Sequence, residues 1–249
     1  MRGVVRRFPG IVALAGVDFD LAWGEIHALL GENGAGKSTL LKVLAGMLQP
    51  HAGSLRIGGD EVRLRSPREA IARGVGMVHQ HFMLVPSLTV TENVVLGLDR
   101  PRWLLDLDWA SGRIEDLGRQ VGLTVDPRAR VADLSVGERQ RVEILKVLYR
   151  GARILLLDEP TAVLAPGEVN DLFDSLRQMA GEGRAVVLIT HKLDEVMAIA
   201  GRCTVLHRGR CTAGAEPTAG TTAAEVARWM MGRAADATGP PPHALPGLH

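Results

Sequence analysis

Gly31-Glu32-Asn33-Gly34-Ala35-Gly36-Lys37-Ser38 fits the pattern G-x-x-x-x-G-K-[ST], a spacing suited to holding a polyphosphate. Its glycines let successive backbone N–H groups turn inward, and a helix starting behind them adds the partial positive charge of its N-terminus. Lys37 brings a full charge toward the β- and γ-phosphates, Ser38 offers a hydroxyl to Mg²⁺, and Thr39 adds a phosphate contact. Further along, Ile154-Leu155-Leu156-Leu157 runs into Asp158-Glu159. Four apolar residues ahead of two carboxylates read as a buried strand that delivers both to the phosphate site. Asp158 would hold Mg²⁺ and Glu159 would polarise an attacking water. Such a strand end is common by itself; joined to the glycine loop it points to hydrolysis of a nucleoside triphosphate. His191 closes the next apolar run, Ala185–Thr190. A histidine at a strand's carboxyl end in an open α/β sheet faces the ligand crevice, where it serves the γ-phosphate or the water. A satisfied loop histidine is the other reading.

These groups need elements to position them. The apolar run Ile26–Leu30 precedes the glycine loop, and a helical pattern, Lys37–Leu48, follows it up to Gln49-Pro50. The first third otherwise reads as short strands with turns, and Gly53, Gly58-Gly59 and Asp60 mark a hairpin. Pro67 stands in the first turn of a short helix, Arg68–Arg73, with Ser66 as its cap and Gly74 behind it. From about Thr89 to Val131 the texture is helical, with Thr91 as a cap and Ile114–Val121 at helical spacing. After it a helix (Gly137–Tyr149), a strand (Ile154–Leu157), a helix (Pro166–Met179), a strand (Ala185–Thr190) and a helix (Leu193–Ala200) alternate. That order predicts a mainly parallel sheet with both faces covered. A last helix is expected at Ala223–Met231; Pro240, Pro241, Pro242 and Pro246 predict a disordered tail over 233–249.

The net charge of +1, from 29 basic and 28 acidic residues, lacks the footprint of a dedicated nucleic-acid binder. The two cysteines, Cys203 and Cys211, exclude a disulfide scaffold and fit no zinc spacing. Apolar runs such as Ile154–Leu157 fall far short of the roughly 20 residues that a membrane helix needs. Arg6-Arg7-Phe8 followed by Ile11–Ala15 has the look of a secretion signal, but Pro9-Gly10 interrupts it and Asp18 ends it. A strand, a turn and another strand are expected there instead. The four tryptophans, Trp23, Trp103, Trp109 and Trp229, are scattered, and packing accounts for them.

Leu134-Ser135-Val136-Gly137-Glu138-Arg139-Gln140 lies shortly before Asp158 and opens a helix. It resembles the LSGGQ signature of ATP-binding cassette (ABC) ATPases, with Val136 and Glu138 departing from the commonest form. A serine hydroxyl and a glycine N–H at a helix N-terminus make a second anion site. In the family that site closes on the γ-phosphate of ATP held by the opposite subunit, which implies roles for Ser135 and Gly137. The same resemblance makes Gln80 the glutamine that senses Mg²⁺ and the attacking water and faces a membrane partner. It makes Phe8 the aromatic that stacks on adenine, and His191 the switch histidine. It covers residues 1–232 and implies a P-loop NTPase cassette of the α/β class. Such a cassette has a mainly parallel sheet core, an N-terminal antiparallel β subdomain and a helical subdomain over about 89–150. The family usually has Ser-Ala-Leu-Asp after Pro160-Thr161; Ala162-Val163-Leu164-Ala165 stands here, and Ala165 brings no carboxylate across a dimer.

Val78-His79-Gln80-His81-Phe82-Met83-Leu84-Val85-Pro86, with Leu-Ser-Val-Gly-Glu and Glu159-Pro160-Thr161-Ala162-Val163-Leu164, is similar to the ATPases of simple-sugar and nucleoside importers. His79 and His81 are loop residues or part of the permease-facing surface. The resemblance implies ATP and Mg²⁺ as ligands, and transmembrane permeases, a second cassette and, through the permease, a substrate-binding protein as partners. It implies a cytoplasmic place on the inner face of the membrane and no nucleic acid. Those relatives carry two cassettes in one chain; this sequence matches the first, from a few residues inside its first strand. A separate second cassette, a homodimer and a fragment all remain open. The alternatives to an importer ATPase are a binding-only regulatory cassette and a soluble ABC ATPase acting on ribosomes or DNA.

Overall fold

The computed structural model describes residues 1–98 and 106–232; Trp103 and the proline-rich 233–249 stretch lie outside them. Strand β1 (Arg2–Phe8) turns through Pro9-Gly10 into β2 (Ile11–Val17), with Phe8 opposite Ile11. These two join β4 (Ala52–Ile57) and β5 (Asp60–Val62) in an antiparallel sheet ordered β2-β1-β4-β5. The larger sheet takes β3 (Ile26–Leu30), β6 (Val75–Val78), β7 (Ile154–Asp158), β8 (Ala185–Ile189), β9 (Arg202–His207) and β10 (Arg210–Pro217). Its order is β10-β9-β3-β8-β7-β6, parallel throughout except for the antiparallel edge strand β10.

Alternation along the strands decides which layer each residue joins. Leu155, Leu157, Val186 and Leu188 pack on one face with Leu172, Phe173 and Leu176 of α6 (Pro166–Gly181). Leu156, Val187 and Ile189 turn to the other, against Leu40, Leu41 and Leu44 of α1 (Lys37–Leu44) and Val4, Leu14 and Val17 of the small sheet. Each such fully buried aliphatic chain contributes about 1.5–3 kcal/mol.

Between β6 and β7 come α2's successors: α2 (Pro67–Ala72) precedes β6, and then α3 (Val90–Val95), α4 (Leu107–Val121) and α5 (Val136–Tyr149) follow. Val90, Val94, Ile114, Val121, Val142 and Leu145 form one apolar core, continuous with the α6 side of the sheet. The remaining helices are α7 (Leu193–Ile199) and α8 (Ala223–Met230). Ser66 caps α2 and Pro67 sits at its start, as expected.

Two expectations need correction. Helix α1 stops at Leu44, short of Leu48, because Gly46 takes a left-handed φ of 68° and the next two amides fold back on Lys42 O. The cap of α3 is Thr89, closing a reciprocal box with Glu92, while Thr91 is buried and donates to Pro127 O at 2.9 Å. The β9–β10 hairpin and the four-residue β6 were not foreseen.

At the start of β3, Glu25 accepts from Ala22 N–H (2.7 Å), from Arg202 through two nitrogens (2.7 Å each), and pairs with buried His27 (2.9 Å). His27 reaches Thr204 of β9 at 2.8 Å. Burial alone would push the Glu25 carboxyl up, but the hydrogen bonds from His27, Arg202 and Ala22 prevail and hold it at about 2. This cluster ties the chain entering β3 to the neighbouring strand.

Candidate active site

The glycine loop is the turn from β3 into α1. Gly31 has φ 144°, and a Cβ there would stand 2.2 Å from Leu206 O and 2.9 Å from the Ala35 Cβ. Glycine is what that packing admits. Gly209 fastens the loop to both sheets: its N–H donates to Ala35 O (2.9 Å) and its carbonyl accepts from Ala15 of β2 (2.8 Å). Glu32, Asn33 and Gly34 form an exposed crest, whereas Ala35, Gly36 and Lys37 are buried, with Ser38 and Thr39 half-buried. Lys37 folds back over the loop, its Nζ donating to Gly31 O (2.7 Å) and Glu32 O (3.0 Å). Burial lowers its pKa, opposed by the charges of Glu159 and Asp158. Helix α1 begins on Gly36 with no side chain capping it and no acid in its first turn. By contrast α3, α5 and α8 each begin with a Ser or Thr and a Glu that satisfy their own amides. The first N–H groups and positive end of α1 are therefore presented to the loop.

Parallel neighbours β6, β7 and β8 end side by side, and the residues just beyond them converge. At Asp158, the end of β7, burial pushes the carboxyl up; the neighbouring Ser38 hydroxyl and the charges of Lys37 and His79 oppose that, while Glu159 adds to it. Glu159 is one of three non-glycine residues described with positive φ (49°), and its N–H donates to Ile189 O at 3.1 Å. That left-handed bend is sterically costly for a side-chain-bearing residue. It brings one carboxylate against two neighbours: Gln80 Nε2 donates to Oε2 at 3.1 Å, and His191 Nδ1 lies 3.2 Å from Oε1. Gln80 follows β6 and His191 follows β8, so the trio draws on three adjacent strand ends. Sequence spacing alone left the His191 reading open; the geometry puts it on Glu159.

Phe8, Ser135 and Gly137 stand apart from this cluster. Phe8 ends β1 at the exposed hairpin tip with Ile11 and Val12, its ring 4.9 Å from the Arg6 guanidinium carbon. Ser135 caps α5, accepting from Glu138 N–H at 3.2 Å, while Glu138 accepts from Ser135 N–H at 2.8 Å. Accepting leaves the Ser135 O–H a donor. Gly137 is packed against α6: a Cβ on it would stand 2.2 Å from Glu168 Oε1, and Glu168 in turn accepts from Ala165 N–H at 2.9 Å.

Residues 14–162 match the ABC transporter family. The chain belongs to that family. As a member it is a nucleotide-binding cassette of the α/β class. It is 49% identical over 234 residues to the nucleoside import ATP-binding protein NupA of Lactococcus lactis subsp. cremoris, covering 94% of this chain and 46% of that one. To the ribose import ATP-binding protein RbsA 1 of Rubrobacter xylanophilus it is 47% identical over 248 residues, 99% of this chain and 49% of the other. The cassette thus spans about half the length of these curated relatives. Among solved structures it resembles the dimeric MJ0796, a bacterial ABC transporter cassette, with TM-score 0.72 and 27% identity over 84% of this chain and 94% of that one.

Sequence reasoning missed several residues of the cassette's site. Glu138 was noted only as a departure from the signature, though Ser-x-x-Glu ahead of an apolar run is a legible capping box. Glu143 of α5 accepts from Met83 N–H and Lys146 donates to Met83 O (3.0 Å), fixing the segment after Gln80. Nothing in the local sequence signals that contact. Glu195 was likewise unread. Among the described residues no three His, Cys, Asp or Glu gather as a metal cluster, and no helix is long and apolar enough to cross a membrane.

Proposed function

We propose that this cassette binds and hydrolyses ATP as one of two paired cassettes that energise uptake of a small polar solute, a nucleoside or simple sugar, through a partner permease. The observation that carries this reading is the meeting of Gln80, Glu159 and His191 at three strand ends beside the Lys37 loop. The printed names of NupA and RbsA 1 support the solute class.

In this reading the 31–38 backbone, Lys37 and Thr39 take the phosphates, and Phe8 offers its exposed ring to adenine. Binding would draw Lys37 from Gly31 O and Glu32 O, exchanging two neutral acceptors for phosphate charge. Ser38, Asp158 and the Gln80 amide oxygen are hard oxygen donors of the kind Mg²⁺ prefers, and Ser38 and Asp158 already stand as neighbours. When bound, the ion neutralises phosphate charge. Glu159, held by Gln80 and His191, orients and polarises the water. Ser135 and Gly137 would close on the ATP of the opposite cassette. The boundaries 1–232 for the cassette and 89–150 for its helical subdomain belong to the same proposal, as does its place at the inner face of a membrane beside permease and substrate-binding protein.

Phosphate release with Mg-ATP, measured across protein concentrations beside Glu159→Gln, tests it. Turnover that rises more than linearly with concentration and vanishes in a folded, ATP-binding Glu159→Gln is expected. Equal turnover in that variant refutes the role of Glu159; ATP binding with no turnover, even with a partner cassette and permease, leaves a regulatory cassette.

A further inference from the structure

Helix α7 carries a carboxylate that the site described above does not use. Glu195 is buried, and both of its oxygens are engaged by buried hydroxyls. Thr161 Oγ1 donates to Oε1 at 2.7 Å and Thr190 Oγ1 donates to Oε2 at 2.8 Å. Lys192 Nζ adds an ion pair to Oε1 at 3.0 Å and reaches Thr161 O at 3.4 Å, while the Lys192 N–H donates to Thr190 Oγ1 at 3.1 Å. Thr161 stands two residues beyond Glu159, and Thr190 immediately precedes His191. Glu195 therefore joins the two segments whose side chains meet at 3.2 Å in the Glu159–His191 contact.

The backbone makes that join consequential. β7 and β8 pair up to Asp158 opposite Ile189, and the Glu159 N–H still donates to Ile189 O. Beyond this point the ladder ends and the chains diverge, Glu159 through its positive φ. The carboxylate of Glu195 takes over where the ladder stops, bridging the divergent ends by two charge-assisted hydrogen bonds, which are stronger and more directional than neutral ones. Buried hydroxyls deprived of it would have to find other acceptors, and the nearest route is movement of their own loops.

We propose that Glu195 is a positioning residue for hydrolysis: through Thr161 and Thr190 it sets the spacing between Glu159 and His191. The proposal deepens the ATPase reading and rests on it for its kinetic consequence, but not for its geometric one. Its effect would fall on kcat, because the phosphate loop is anchored separately through Gly209 and Ala15. A displacement of about 1 Å at a reacting group lowers turnover by roughly 100-fold.

The test uses two readouts on the full chain. Through-space NMR contacts between the His191 ring protons and the Glu159 side chain report the geometry without any need for activity. Steady-state Mg-ATP hydrolysis reports kcat and KM. In folded Glu195→Ala the NMR contact should disappear and kcat should fall about 10- to 100-fold with KM within twofold. Glu195→Gln, which keeps one acceptor, should retain part of both. In a His191→Ala background Glu195→Ala should lower kcat no further, whereas a merely structural role lowers it by the same factor in either background. Should Glu195→Ala not fold, Thr190→Val removes one of the two bridges together with the acceptor of the Lys192 N–H, and Thr190→Ser should restore both. An undiminished His191–Glu159 contact in Glu195→Ala or Thr190→Val overturns the proposal. A wild-type chain that shows the contact, loses it in the variant and hydrolyses nothing overturns the ATPase reading and leaves the positioning role standing.

Discussion

Replacing Gly31 by alanine places a methyl group 2.2 Å from Leu206 O, a backbone atom of β9, and imposes a side chain on φ 144°. Relief requires moving either the glycine loop or the β9 backbone by about 1 Å, since a carbon and an oxygen in contact sit near 3.2 Å. Backbone strain of this kind costs about 1–3 kcal/mol, and overpacking against a fixed neighbour costs about 1–3 kcal/mol more. Gly137 provides the matched control. Its missing Cβ faces an obstacle equally near, 2.2 Å away, but that atom is the tip of the Glu168 side chain, and Gly137 has no positive φ. Glu168 can swing away by giving up its bond to Ala165 N–H, a loss of about 1 kcal/mol. For a chain of this size each kcal/mol moves Tm by about 2–4 °C. Gly31→Ala should therefore melt at least about 4 °C lower and bind a fluorescent ATP analogue at least about tenfold more weakly, while Gly137→Ala should melt within about 4 °C of the parent. Thermal melts and a binding titration on the same preparations decide it. Equal melting of Gly31→Ala and the parent, or equal loss in both variants, refutes the reasoning that backbone obstacles differ from side-chain obstacles here.

Glu25 holds stability that depends on pH. Its folded pKa of about 2 lies below its ordinary value of 4.5, so its contribution is complete above 4.5 and drains away as pH falls toward 2. At about 1.4 kcal/mol per unit, Glu25→Gln should cost about 3–4 kcal/mol at pH 7, and urea titrations should find the gap narrowing below pH 4.5; a gap that widens on acidification contradicts the network. Lys37→Met should weaken nucleotide binding by more than about tenfold while leaving Tm level or higher, because it removes a buried ammonium; a large drop in Tm would make Lys37 a structural residue. Burial pushes the Cys203 thiol up to about 11. At pH 7.5 iodoacetamide should accordingly label Cys203 of the native chain about 100-fold more slowly than a free thiol, and rapid labelling of Cys203 would refute that.

The chemistry of the site was legible wherever it depended on local spacing. The glycine loop, the apolar run into Asp158-Glu159 and the alternation of Ile154–Leu157 with Ala185–Ile189 all express short-range constraints on the chain. Contacts between distant segments were not legible. That β3 lies between β8 and β9 follows from pairings such as Ile26 with Val186 and His27 with Arg202, and no local pattern encodes them. β6 was missed because Val75–Val78 is four residues long, too short for alternation to register. The cap of α3 was misplaced by two residues although Thr89 and Glu92 carried the signal, because Thr91 is the same residue type and its burial against Pro127 is a tertiary fact. Phe8, Gln80 and Ser135 came from likeness alone. For Gln80 the geometry now supplies a physical reason, its bond to Glu159.

Helix α1 starts without a cap of its own, whereas α3, α5 and α8 carry theirs in the sequence. In the proposed reading, nucleotide phosphate is the partner of its free first-turn amides, and the fold draws part of its stability from the nucleotide it binds. A ligand at 100 times its dissociation constant adds about 2.7 kcal/mol to the folded state. The resistance of this chain to heat and proteases then rises and falls with the concentration of the nucleotide it binds.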